Sequence, residues 1–454
     1  MTQPFLSANG LVEYNSQTFC GEMYGSLITV MFAATDNIVG YAKQGGVVSA
    51  DGGSKNCKTR GCRKLFEPGA PQAAKFLDPL QIALESPESG TLVVAEFLGN
   101  TNQAGALTTA IPYLAKDPQV TTATTVVAAL PVPLDGAAAA VVGNTIFVFG
   151  GAGSNAIWEY RPGTNEYTSA GTVPGWPAAG VFGAAAAVRR LLDSDGEAGA
   201  EIFLCGGDGG GGKCFVLDGA DPGSAAKSSA PIALPGPPLA ERGFATLHGQ
   251  RYGLLVGGFK PANGAASSAV VLLDLAAKAV VDHPSGGPVA QLPQPLRGAN
   301  VAAIGDHVYV WGGGSGPGQD ARATLRYDFA LNAWVDYLPG SPDVNLPPLP
   351  AGSGARSASV NAMQGRLHHC NGANKAGGEP LPTACYRLDV TANTPEWVKL
   401  AATEPRRVQR AAVATWRGSA YAFGGAGPGG AALAATAVHS YCLGPLGATC
   451  CAAA

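Results

Sequence analysis

Charge is scarce in this chain. Only 13% of its 454 residues are Asp, Glu, Lys or Arg, about half the usual quarter of a soluble domain. The 29 basic and 32 acidic side chains leave a formal charge of −3. No basic stripe interrupts the sequence, so the electrostatic footprint of a nucleic-acid partner is lacking. Long apolar runs are lacking too, and no segment approaches the roughly 18 residues of a membrane-spanning helix. The opening MTQPFLSANG has neither a charged n-region nor an apolar h-region, so no signal peptide is visible. Asn-x-Ser/Thr sequons are absent, which decides nothing about compartment.

What the chain does hold is small and apolar. Hydrophobic residues make up 46%, with 64 glycines and 34 prolines. The glycines punctuate short apolar runs at a regular interval. FVFGG (147–151), FLCGG (203–207), LLVGG (254–258), VYVWGG (308–313) and YAFGG (421–425) recur about every 55 residues, with a degenerate LHHCNG at 367–372. A fixed period of this size marks a repeat array rather than a string of unrelated domains.

One unit is clearest over residues 296–338. A small-residue strand, GANVAAIG, leads through a turn into HVYVWGG, then TLRYDF, then NAWVDYL with Trp334 as an apolar anchor. Four short strands bounded by turn residues describe one propeller blade, whose faces are buried only when blades stack radially. Third strands recur at 157–162, 214–218, 270–274, 385–389 and 438–442, and Trp397 and Tyr167 take the fourth-strand place. The polar LLDSDGEAGAE at 191–201 reads as a protruding hairpin. Weaker diglycine-like strand ends at Gly99 and Gly46 keep the same spacing, giving eight units with seven as the nearest alternative. The stretch LVEYNSQTFC (11–20) reads as the strand that closes the last unit.

The diglycine-ended strand, the Leu/Tyr-Asp third strand and the Trp fourth strand resemble kelch repeats of the galactose-oxidase-like propeller superfamily. The resemblance covers 135–441 well and 1–134 weakly, and implies six or seven blades by family habit. The expected fold is therefore all-β: a single propeller of four-stranded blades. Residues 1–20 are expected to close it, 21–134 to form two degenerate blades, 135–441 six good ones, and 442–454 a Cys-rich tail.

Ten cysteines fall into local pairs. Cys205 ends a second strand and Cys214 opens the next; Cys370 and Cys385 hold the same two places, and Cys57 and Cys62 similar ones. Equivalent placement across a hairpin brings each pair within disulfide reach. Cys20 and Cys442 are expected to face each other in the closing blade, leaving Cys450 and Cys451. The four-residue gap between Cys57 and Cys62 has no matching second pair for zinc. Disulfides place the chain in an extracellular, cell-surface or other oxidising compartment.

The sharpest functional signal is arginine at a fixed phase. Arg242, Arg297 and Arg356 each lie 15 residues before Gly257, Gly312 and Asn371, and Arg410 lies 14 before Gly424. In peptide-binding kelch domains arginines at this place line the channel mouth, so the resemblance implies an arc for acidic ligands, broken where Asp135 takes the equivalent place. Guanidinium suits that work because it stays charged and binds carboxylate through paired hydrogen bonds.

Copper radical oxidases share the propeller class, but their Tyr-His dipeptide is absent and only six histidines occur. His368 and His369 are adjacent, so on a strand they face opposite sides. The Glu, Asp and His loop of iron-dependent specifier proteins and the acid–base pair of a sugar epimerase are likewise absent. Asp306-His307 reads as a turn beside a strand, and the glycine run 209–212 as a loop without a phosphate-cradling helix. The expectation is a non-enzymatic protein- or glycan-interaction module without cofactor or metal, part of a larger extracellular assembly, with a partly acidic partner and neither nucleic acid nor membrane span. The alternative is a secreted copper radical oxidase-like enzyme acting on alcohols, aldehydes or carbohydrates.

Overall fold

The structure is a computed structural model. It describes strands at 7–14, 26–32, 38–41, 63–64, 79–84, 92–97 and 106–111, and residues 121–442 except 193–197, 248–249, 305–306, 317–318, 336–345, 354–361, 364–365, 371, 374–383, 391–394, 404–406 and 417–418. The chain divides into two compact units, Met1–Gln119 with Cys442–Ala453, and Val120–Tyr441. The first holds an antiparallel sheet in the order Ser7–Tyr14, Ser26–Phe32, Ile38–Tyr41, Arg63–Lys64, and a three-stranded sheet of Pro79–Leu84, Leu92–Phe97 and Ala106–Ile111.

The second unit is a six-bladed propeller of four-stranded antiparallel sheets. Blade I runs through Ala138–Val142, Thr145–Phe149, Ala156–Arg161 and Glu166–Thr172. Blade II is Ala185–Leu192, Ala198–Cys205, Lys213–Asp218 and Ser229–Ala233; blade III is Gly243–Leu247, Tyr252–Val256, Val270–Asp274 and Ala279–Val280. Blade IV is Asn300–Ile304, His307–Trp311, Thr324–Asp328 and Ala333–Val335; blade V is Ala362–Met363, Arg366–Cys370, Ala384–Leu388 and Trp397–Thr403. Blade VI comprises Ala412–Trp416, Ser419–Phe423, Thr436–Cys442 and, as its fourth strand, Thr121–Val127.

Second strands lie between neighbouring blades and are buried on both faces. They therefore read as unbroken apolar runs such as TIFVF and YGLLV, without alternation. Both glycines that follow are left-handed: Gly257 and Gly258 have φ of 63° and 105°. A Cβ on Gly258 would fall 2.7 Å from Cγ of Arg242, so the diglycine serves both conformation and close approach. The fourth-strand tryptophans hold the connection between blades: the indole N–H of Trp334 donates to the Ala290 carbonyl and that of Trp397 to the Pro347 carbonyl, both at 3.0 Å. Asn165 Oδ1 accepts from the Tyr160 hydroxyl and from Ala128 N–H, each at 2.9 Å, tying the closing strand to blade I. Burial pushes the Tyr160 hydroxyl up to about 12.

Two expectations are corrected here. The blades of the second unit number six, neither eight nor seven: the strands ending near Gly46 and Gly99 belong to the separate first unit, whose two sheets have four and three described strands. The fourth strand of blade VI is Thr121–Val127; of the stretch 11–20 expected there, residues 15–20 lie outside the described residues. Leu11 to Tyr14 instead pair in sequence with Thr29, Ile28, Leu27 and Ser26. TTATTVV is rich in β-branched residues that suit a sheet edge, and beyond it Leu130 and Leu134 bond to the carbonyls of Ala434 and Leu433 at 2.7 and 3.0 Å. The polar insertion at 191–201 lengthens the first hairpin of blade II, whose strands stay paired as far as Leu192 and Ala198.

Two disulfides join second to third strands, Cys205–Cys214 and Cys370–Cys385, and all four residues are fully buried. Antiparallel register sets each pair directly opposite. Cys20, Cys57, Cys62, Cys450, Cys451 and the side chain of Cys442 lie outside the described residues, so the Cys57–Cys62 and Cys20–Cys442 pairs do as well.

Candidate functional site

Two residues before the first strand of every blade but V, where that position lies outside the described residues, the chain turns through a left-handed residue. Gly136, Gly183, Glu241, Gly298 and Arg410 have φ of 66°, 68°, 51°, 55° and 57°. These residues form a belt around the axis. Gly136 N–H donates to the Arg410 carbonyl at 3.2 Å, Gly183 to Gly136 at 2.8 Å, Glu241 to Gly183 at 2.8 Å, and Gly298 to Glu241 at 3.3 Å. Three of the five are glycine, the residue that adopts this conformation without strain. Glu241 and Arg410 hold it against a steric cost of about 1–2 kcal/mol each.

Charge gathers on this belt. Arg410 forms a two-pronged bond with Asp135, Nε to Oδ1 and Nη2 to Oδ2, both 2.8 Å, and its guanidinium lies 5.5 Å from the centre of the Phe182 ring. Burial works against the Arg410 cation, but the bond to Asp135 and that carboxylate's charge outweigh it and raise its pKa. Arg297 stacks 3.9 Å from the Phe259 ring centre, reaches the Gly264 carbonyl at 3.3 Å, and pairs with Glu241 at 3.5 Å. Glu241 has its pKa raised, chiefly by burial, although Arg297 and Arg410 both pull it down. Four blades thus contribute to one mixed-charge cluster.

Arg242 does not join it. Only 7% exposed, it runs beside Gly206 of blade II and Gly258 of blade III, and its Nη2 meets the Leu255 carbonyl at 3.3 Å. Burial pulls its guanidinium down to about 10. The expected arc is corrected accordingly: equal distance to the diglycine does not mean equal place on the belt. Blade III has a four-residue hairpin (248–251) where blade IV has two (305–306). Arg242 therefore falls one residue after the left-handed position, Arg297 one before it, and Arg410 on it. Arg356 lies outside the described residues. Asp135 is not a break in the cluster but the partner of Arg410.

Glu241 went unread in the sequence, although a signal for it exists. DGA (135–137), FGA (182–184) and RGA (297–299) repeat one pattern, and AER (240–242) and QRA (409–411) put charge where that pattern has glycine.

His369 has structural employment. The strand Arg366–Cys370 is buried throughout. His369 Nε2 donates to the Ser353 carbonyl at 3.0 Å, and its Nδ1 meets Asn300 Nδ2 at 3.3 Å. His307 faces Asp328 at 3.4 Å on the neighbouring strand. Among the described residues no three His, Cys, Asp or Glu side chains gather at metal-binding distance. The glycine run 209–212 lies in the loop between second and third strands of blade II.

No known family profile matches the chain. No curated protein matches it in sequence. Among solved structures it is similar to that of YjhT, with a TM-score of 0.51 and 14% identity over 69% of this chain and 99% of that one. A likeness at that identity speaks for the propeller fold alone. The class defined here is a six-bladed β-propeller with a charged belt at one end of its axis.

Proposed function

We propose that the propeller is a non-enzymatic binding module that takes an acidic group of a protein or glycan partner at the charged end of its axis, within a larger extracellular assembly. The observation that carries this reading is the placing of Glu241 and Arg410 at left-handed positions that glycine fills in other blades. Backbone strain held at largely buried charged residues supports a reading of use. The guanidiniums of Arg297 and Arg410 lie over the Phe259 and Phe182 rings, 3.9 and 5.5 Å from their centres, so part of their side-chain freedom is already given up before a carboxylate arrives. Arg356, in RSA (356–358), matches the sequence register of Arg297 in RGA. The buried disulfides suit an oxidising compartment.

Binding of polyglutamate and of an acidic polysaccharide to the full chain tests the reading. Two charge-neutral pairs, Glu241→Gln with Arg297→Gln and Asp135→Asn with Arg410→Gln, are expected to weaken binding about tenfold or more with little change in melting temperature. Binding that ignores both changes, or is absent from the native chain, overturns it. Stoichiometric copper with a Tyr–Cys adduct in peptide mass spectra would replace it with the oxidase reading.

A further inference from the structure

Arg297 already holds a carboxylate, and that carboxylate belongs to the chain itself. Glu241 Oε2 lies 3.5 Å from Arg297 Nη2, with 10% of the glutamate side chain and 17% of the arginine exposed. Neither is sealed from solvent. The second pair of the cluster is built differently: Arg410 grips Asp135 through two bonds of 2.8 Å. Arg297 has one long contact to its carboxylate and one 3.3 Å bond to the neutral Gly264 carbonyl, which leaves its fork of donors incompletely used. The belt keeps the glutamate in place. Its N–H donates to the Gly183 carbonyl, its carbonyl accepts from Gly298, and its Cγ passes 3.3 Å from where a Cβ on Gly183 would stand. Glycine fills the same left-handed position in blades I, II and IV, so the ring itself has no need of an acid there.

We infer, resting on the binding site proposed above, that Glu241 is a tethered competitor: its carboxylate sits on Arg297 in the place of the partner's acid group and must leave before that group can bind. A site held by its own occupant shows an affinity lowered by the fraction of time it is free. Protonation removes the competitor. Glu241 faces Arg297 of blade IV, Arg410 of blade VI and Asp135 of blade I, and burial raises its pKa against the pull of both arginines. Blade II presents Gly183, with Asp208 bridged through the backbone to Phe182. The neighbouring Arg242 turns away to the Leu255 carbonyl. A neutral Glu241 loses its charge hold on Arg297, so the site opens as pH falls towards the raised value and closes as pH rises above it.

The test is polyglutamate binding to the full native chain and to Glu241→Gln, measured side by side from about pH 5 to 8. At the upper end the variant is expected to bind about tenfold tighter, and the ratio of the two affinities should fall towards one as pH drops. The ligand's own titration cancels in that ratio. Asp221→Asn makes the same charge change in the loop between third and fourth strands of blade II, where Asp221 pairs with Lys227. This control should keep the native affinity and pH profile. Glu241→Gly, which installs the belt residue of blades I, II and IV, decides in its place should the glutamine variant fail to fold, and it should tighten binding likewise. Affinity in the Glu241 variants equal to or below the native value, a ratio that ignores pH, or equal tightening in Asp221→Asn overturns the inference and leaves the binding site standing. No binding by any of these proteins overturns the site as well.

Discussion

Glu241 ionises against its surroundings. Burial raises its pKa more than Arg297 and Arg410 lower it, so the folded chain binds this proton more tightly than the unfolded chain does. Between the ordinary carboxylate value and the raised folded one, folding takes up a proton, and stability is lost as pH rises through that window. Glu241→Gln keeps an acceptor for Arg297 and removes the titration. The variant is expected to melt above the native protein at neutral pH, with the gap shrinking as pH falls and closing below about 4. Melting curves of both proteins across that range check it, and a pH-independent gap would place the cause elsewhere. Strain is unaffected by this exchange, since both side chains meet the same left-handed backbone.

Hairpins are the element in which the chain was most readable. Cys205 and Cys214, like Cys370 and Cys385, sit at the end of one strand and the start of the next, and antiparallel register must bring such positions face to face. Their sequence separations of 9 and 15 close short loops. Each bond is thus expected to contribute about 2–3 kcal/mol. The double change Cys205→Ser, Cys214→Ser should lower the unfolding free energy by that amount in a guanidinium titration without reductant. Thiol labelling of both cysteines in the unreduced, denatured chain would show that the bond had not formed. Other hairpins, those between first and second strands, hid the arginine register. Counting back from a diglycine assumes a constant turn, yet residues 248–251 and 305–306 differ by two. That shift carries Arg242 past Glu241 into the blade, and no single-unit spacing reveals it.

At the scale of the whole molecule, the period was legible and the closure was not. Diglycine strands located all six blades because doubly buried strands must be short, apolar and ended by left-handed residues. A similar interval before residue 120 belongs to the sheets of a separate compact unit, and spacing alone cannot tell which unit a strand joins. Removing Thr121–Val127 is expected to abolish cooperative melting of the propeller, whereas removing residues 7–14 leaves it, as near-UV circular dichroism would show. The reverse result would assign closure to the first unit. The belt has a further consequence for how such a ring changes over time. Each described handover rests on one N–H to carbonyl bond, so an added residue there severs a link. At the opposite end the first hairpins already span two, four and five residues without disturbing the belt. One rim of this molecule is therefore held constant while the other is free to drift, and a grafted tag or a natural insertion belongs on the drifting rim.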